Sequence, residues 1–449
     1  LTQPAQGSGR SFGWFEIARL GLVQASIGAI VVLATSTLNR VMVVELALPA
    51  ALPGGLVALH YTVQVLRPRL GHGSDQGGRQ TPWIIAGMAI LALGGVAAAV
   101  GTAWMASNFW LGLVLATTAF VMIGVGVGAA GTALLVLLAK HVARHRRAPA
   151  ASIVWVMMIA GFAITAGLGG HLLQPFSYLR LVEVSAGAAA LALVLSVAAI
   201  WGLEGRATPS APERRDRPMP PATPFLVALM QVWREPKARH FAIFVFVSML
   251  GYSAQELILE PFAGAVFDLT PGESAQLTGV QHGGALVGML LVALVGGRFG
   301  SMRLWTLGGC IGSAAGLAAL AFSGLAGPSF PLLPTVFLLG AANGTFAVSA
   351  IGSMMGLATD GREAREGVRM GLWGAAQAVA FACGGIVATL GSDAARHFLG
   401  SPVAAYALVF SGEAALFLVA ARQAAAVYGP ASGRRPVGLP QGTVELSRS

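Results

Sequence analysis

The chain has 449 residues, of which 55% are hydrophobic and only 10% charged, and its mean hydropathy is +0.73. A water-soluble domain of that composition would expose large apolar patches, so a soluble enzyme or a secreted scaffold is excluded and a chain that crosses a membrane many times is expected. The net charge of +10 arises from 28 Lys and Arg against 18 Asp and Glu, and its distribution decides whether it serves nucleic acid, lipid or topology.

The N-terminal stretch lacks a short apolar core followed by a small-residue cleavage site, so the first apolar run reads as a retained span. About twelve apolar segments of membrane-crossing length follow, near residues 17 to 44, 50 to 68, 82 to 101, 109 to 139, 150 to 170, 180 to 203, 240 to 262, 274 to 296, 304 to 324, 332 to 357, 368 to 391 and 402 to 424. With both termini placed in the cytoplasm, only Arg40, Arg180 and Arg396 fall outside cytoplasmic segments or their helix ends. That asymmetry is the positive-inside pattern. The basic excess then reports topology, membrane lipids are the expected surroundings, and no nucleic-acid partner is expected.

Within this order the first segment ends in "TSTLNRVMVVELALP", which carries Arg40 and Glu45, and the second contains His60. The loop after it, "GHGSDQGGRQTPW", brings Gly71, Asp75, Gly78 and Arg79 together. "GVGAAG" at 126 to 131 has the spacing of a dinucleotide loop, but no strand precedes it and close helix packing accounts for it. His141 and His145 stand four apart, yet Lys140, Arg144, Arg146 and Arg147 oppose a cation there and suit anionic headgroups. No protein-bound metal site is expected. The polar interval from Glu204 to Pro224 lies midway along the chain and reads as a solvated linker, followed by "FLVALMQVWREP", a surface helix on the cytoplasmic face. Cys310 and Cys383 lie in different apolar runs and read as buried free thiols.

The two sides of the linker repeat each other. His60, Gly78, Trp83 and Gly87 match His282, Gly300, Trp305 and Gly309 at an offset of 222, and Arg144, Arg147 and Trp155 match Arg362, Arg365 and Trp373 at 218. Six helices, a linker and six related helices form the parallel-repeat plan of major facilitator proteins. The expected fold is an all-α membrane protein of twelve transmembrane helices in two six-helix halves. Residues 1–203 and 239–424 are the halves, 204–238 the cytoplasmic linker and 425–449 a cytoplasmic tail. The loop with Asp75 and Arg79 resembles the Gly-x-x-x-Asp-x-x-Gly-Arg loop of that superfamily. There the acid meets a helix N-terminus and the arginine braces the helix ends, whereas a tight charged turn is the plainer reading. The second-half loop has Gly297 where Asp75 would fall.

"RLGLVQASIGAIVVLATSTLNRVMVVELALPA" (19 to 50) and "YSAQELILEPFAG" (252 to 264) resemble the PucC and LhaA family, also called the bacteriochlorophyll delivery family. The resemblance covers essentially the whole chain in order. It implies a non-enzymatic assembly factor for light-harvesting complexes in the inner, photosynthetic intracytoplasmic membrane of a bacterium, binding bacteriochlorophyll and delivering it to antenna polypeptides. Pigment-synthesis enzymes are further partners it suggests. Two other functions stay open: a proton-coupled transporter with Asn343, Gln377, Glu256 and Arg40 around a cavity, and a membrane chaperone that transports nothing.

Three sets of residues carry this expectation. Arg40 lies 21 residues past Arg19, and Glu260 lies 21 past Arg239, so at about 1.5 Å per residue both reach about 30 Å deep. With Glu256 one turn shallower, Arg40 either bridges the halves to Glu256 or Glu260, or snorkels to the interface. Glu45 is expected to be the poorer partner, because five residues carry it well around an α-helix. His60 and His282 sit near mid-membrane beside Gly54, Gly55, Gly283 and Gly284, and either could offer an imidazole to a pigment magnesium or serve as a packing histidine. Asp75 and Arg79, with their glycines, form the third set.

Overall fold

The computed structural model describes residues 12–64, 79–143, 146–206, 230, 233–296, 301–359 and 366–427. Among the described residues the long elements are twelve helices. These are α1 (Trp14–Glu45), α2 (Ala51–Val63), α3 (Thr81–Met105), α4 (Phe109–His141), α5 (Arg147–Leu172), α6 (Tyr178–Ile200), α7 (Pro236–Phe267), α8 (Pro271–Val295), α9 (Met302–Ala326), α10 (Leu332–Thr359), α11 (Glu366–Leu399) and α12 (Pro402–Val427). Eleven hold a stretch long and apolar enough to cross a membrane, and α2 is shorter in its described part. Helix is the only open form that satisfies every backbone group within hydrocarbon. Polar caps start several of them: Asn108, Ser177, Thr270 and Ser301 each accept from a backbone N–H three residues on. Turns of two to five residues reverse the chain between paired helices, with Asp268 and Gly400 in the left-handed region at two of them.

One apolar core is built mainly from α1 to α6 and a second from α7 to α12. The repeat is visible in the packing. A Cβ on Gly87 would lie 2.6 Å from the backbone N of Ala130 on α4, and one on Gly309 2.5 Å from the backbone N of Phe346 on α10. Each glycine lets the third helix of its half lie against the fourth. Large side chains such as Leu294, Trp110 and Val194 point outward, as lipid-facing residues do. Cys310 is buried as expected, but Cys383 is exposed on the outside of α11, because the apolar run around it has a lipid face as well as a core face.

The halves meet closely at the far end, where α1 finishes and α2 begins. α5 and α8 touch backbone to backbone: a Cβ on Gly272 would sit 2.5 Å from the Gly170 carbonyl, and one on Gly279 2.7 Å from the Gly167 N. Asp393 on α11 accepts from the backbone N–H of Ala50 at 3.0 Å and of Ala51 at 2.8 Å, so a carboxylate from one core caps the first turn of α2 in the other. Asp393→Ala is expected to cost about 1 kcal/mol and to speed amide exchange at the start of α2, with Asp393→Asn intermediate. Unchanged exchange at Ala50 and Ala51 would show that the cap does not hold this end.

Candidate functional site

α1 is not a regular helix where its polar residues lie. Leu33–Thr37 and Val41–Glu45 are wound with i→i+5 hydrogen bonds, and Leu38–Arg40 lies between them. Such insertions are frequent at functional sites because they re-aim side chains. The wider turn brings Glu45 back beneath Arg40, and Arg40 Nη1 lies 2.5 Å from Glu45 Oε1. The expectation that Glu45 is the poorer partner is therefore corrected: it assumed 3.6 residues per turn, and this stretch takes more.

Arg40 is 2% exposed. Its Nη2 donates to the Leu269 carbonyl at 2.5 Å, in the turn between α7 and α8. A Cβ on Gly264 would lie 2.8 Å from the same nitrogen, so that glycine makes the room for it. The preceding residue, Asn39, donates from Nδ2 to the Leu257 carbonyl of α7 at 2.6 Å. Arg40 thus ties the two cores through a carbonyl, and neither Glu256 nor Glu260 lies within ion-pair distance of it. Glu256 is half-buried. Glu260 is buried within electrostatic range of Arg40. It accepts from Thr278 Oγ1 at 2.6 Å, while its second oxygen and Arg40 Nε have no hydrogen-bond partner.

Thr278 carries the network on to His282, one turn further along α8. His282 Nδ1 stands 2.9 Å from the Thr278 carbonyl. A carbonyl only accepts, so Nδ1 holds the proton, and in the neutral ring Nε2 keeps its lone pair. That nitrogen is buried without a partner. Phe162 of α5 closes over the ring edge-on, with centroids 5.0 Å apart. His60 is differently placed. Its Nε2 is 2.9 Å from Gln64 Nε2, and its ring stands edge-on to Tyr61. The neighbouring glycines divide their roles. Gly54 and Gly284 are filled by Thr389 of α11 and by the Phe337 carbonyl of α10, whereas a Cβ on Gly55 or Gly283 would meet nothing within 4 Å.

Asn343 of the alternative cavity lies inside the second core. It accepts from Ser313 Oγ at 2.7 Å and donates to Gln255 Oε1 at 3.1 Å, while Gln377 is half-buried. Glu413 on α12, which sequence reasoning did not single out, is buried with neither carboxylate oxygen partnered. Among the described residues no three His, Cys, Asp or Glu are grouped as metal ligands. His141 stacks on Phe12 at 4.9 Å, and His145 lies outside the described residues.

Gly71, Asp75 and Gly78 also lie outside the described residues. Arg79 is exposed, with its Nε 4.0 Å from Glu204. Glu204, just past the end of α6, accepts from the backbone N–H of Gln80 at 2.5 Å and of Thr81 at 3.0 Å, and so caps α3. An acid directly after the sixth apolar run was the available signal. Burial raises the Glu204 pKa, but the two backbone donors and Arg79 outweigh it and hold the group below its ordinary 4.5. A depressed folded-state value means the stabilisation is present above the ordinary value and is lost as pH falls through the folded one. Glu204→Gln is expected to cost about 1 kcal/mol at neutral pH, with the gap to wild type closing in acid. Melting curves across that range check it, and a gap that is absent at neutral pH contradicts the cap.

Comparison with known proteins places this arrangement. Among solved structures, a bacterial homologue of the human lysosomal transporter Spinster superposes with a TM-score of 0.68 at 13% identity, over 92% of this chain and 96% of that one. The nucleoside transporter NupG superposes with 0.64 at 13%, over 92% and 99%. At such identities the likeness establishes the fold, that of the major facilitator superfamily. In sequence, the bacteriochlorophyll synthase 44.5 kDa chain of Rhodobacter capsulatus is 51% identical over 421 residues, covering 93% of this chain and 96% of the relative. Protein PucC of Cereibacter sphaeroides is 32% identical over 442 residues, covering 90% of each. The family model described as PUCC protein matches residues 37–431, and this integral membrane chain belongs to the PucC family.

Proposed function

We propose that this chain is an assembly factor for photosynthetic light-harvesting complexes that holds bacteriochlorophyll at His282 and passes it sideways to antenna polypeptides. The observation that carries the reading is the buried Nε2 of His282. A pigment magnesium takes an axial lone pair, and here one imidazole nitrogen is anchored to a carbonyl while the other has no partner. The residues fit the group in donor chemistry, and a Cβ on the adjacent Gly283 would meet nothing within 4 Å. His60 is the weaker candidate, since its Nε2 is engaged with Gln64.

The names of the relatives, one a bacteriochlorophyll synthase chain and others PucC, support a role in building photosynthetic pigment complexes. A non-enzymatic role is proposed, because the sequence offers no nucleophile elbow, phosphate loop or zinc protease pattern. The positive-inside pattern supports cytoplasmic termini in a bacterial inner membrane, with residues 1–203 and 239–424 as halves joined by 204–238. Asp75 and Arg79 are proposed to latch the first half during switching. The pigment tail, held at mid-membrane depth, would leave through lipid without meeting water.

The test is the absorption spectrum of the protein purified in gentle detergent and washed with excess lipid to strip adsorbed pigment. Retained bacteriochlorophyll in stoichiometric amount is expected. Pigment-free protein that still restores antenna assembly in a deletion strain would establish a chaperone that carries no pigment.

A further inference from the structure

We propose that the cleft between α1 and α6 at the near end, where α1 begins, binds one anionic glycerophospholipid, with its phosphate on Arg19 and an acyl chain along α6. The site is independent of the pigment reading. The cleft is shallow and open to the outside, with a volume of about 800 Å³, and is lined by Arg19, Leu193, Val194, Val197, Ala198 and Trp201. Four α6 residues recur at helical spacing and, with Trp201 at the C-cap, form one apolar face about 12 Å long, at 1.5 Å per residue. Arg19 supplies the head of the cleft. Its Nε donates to the Ala199 carbonyl at 2.7 Å and its Nη2 to the Trp201 carbonyl at 2.6 Å, which pins the guanidinium at the C-terminal end of α6. Its Nη1 is left for a ligand.

No carboxylate neutralises this cation: among the described residues the ion pairs are Arg40 with Glu45 and Arg79 with Glu204. Glu16, one turn earlier on α1, is turned away to bond the backbone N–H of Gly13. A fixed, uncompensated guanidinium above an apolar channel matches a phosphate above a hydrocarbon chain. The surrounding side chains are those of a membrane interface. Trp201, Trp14 and Phe15 are exposed at the same end, with Arg146 over the Trp14 ring at 5.6 Å. A zwitterionic headgroup would place a second positive charge against Arg19, so selectivity for an anionic lipid is the signature.

The experiment compares delipidated wild type, Arg19→Gln, Arg19→Lys and Val194→Trp, each titrated with phosphatidylglycerol or phosphatidylcholine and read by native mass spectrometry. Wild type should retain one phosphatidylglycerol about fivefold more strongly than phosphatidylcholine, the preference one basic residue gives at an anionic surface. Arg19→Gln should abolish that preference and Arg19→Lys keep part of it. Val194→Trp fills the channel without touching Arg19 and should weaken retention even if Arg19→Gln folds poorly. Equal retention of both lipids by wild type, or unchanged retention in Val194→Trp, overturns the site and leaves an ordinary lipid-facing surface.

Discussion

Replacing Arg40 with alanine is expected to destabilise the detergent-solubilised protein by about 3 to 5 kcal/mol, the cost of removing one member of a buried charge network. The loss has several sources. The Leu269 carbonyl and the Glu45 carboxylate both lose their donor, and the tie between the cores at the far end is cut. The double variants separate the contributions. Glu45 is about a third exposed, at 31%, so water can solvate it, and adding Glu45→Gln to Arg40→Ala should recover little. Glu260 is buried and has an unpartnered oxygen, so adding Glu260→Gln should recover part of the loss. The coupling in such a cycle measures how far Arg40 and Glu260 act on each other without direct contact. If Arg40→Ala leaves the melting temperature and accumulation in the membrane unchanged, the guanidinium does not hold the halves together.

Much of the fold was legible because hydropathy and repetition are long signals. Eleven apolar spans and the matched Gly87 and Gly309 could be read from spacing, since a helix in lipid has few alternatives. The site was less legible for local reasons. Arg40, Glu260 and His282 were singled out, because an ionisable or imidazole group in an apolar run stands out. Their connections were not. Two wide turns in α1 changed which carboxylate meets Arg40, and nothing in "TSTLNRVMVVEL" announces an i→i+5 bond. Asp393 and Glu204 cap helices whose N-cap residues, Ala50 and Gln80, lie 343 and 124 residues away in sequence, so their partners depend on tertiary packing alone. His60 and His282 occupy equivalent repeat positions, yet Gln64 follows one and Leu286 stands at the matching place after the other. That single difference engages one imidazole and leaves the other with a lone pair.

Pigment retention by wild type, His282→Leu, His60→Leu and the double variant, each checked for an unchanged melting temperature, decides whether this lone pair is the magnesium ligand. Leucine keeps much of the bulk against Phe162 and removes both ring nitrogens, the one anchored to the Thr278 carbonyl included, which is why the melting temperature is checked. His282→Leu is expected to lose nearly all bound bacteriochlorophyll, while His60→Leu keeps it with the wild-type absorption maximum and the double variant behaves as His282→Leu does. The same pigment content and the same maximum in all four proteins would contradict the assignment and move the ligand to another side chain, a backbone carbonyl or water.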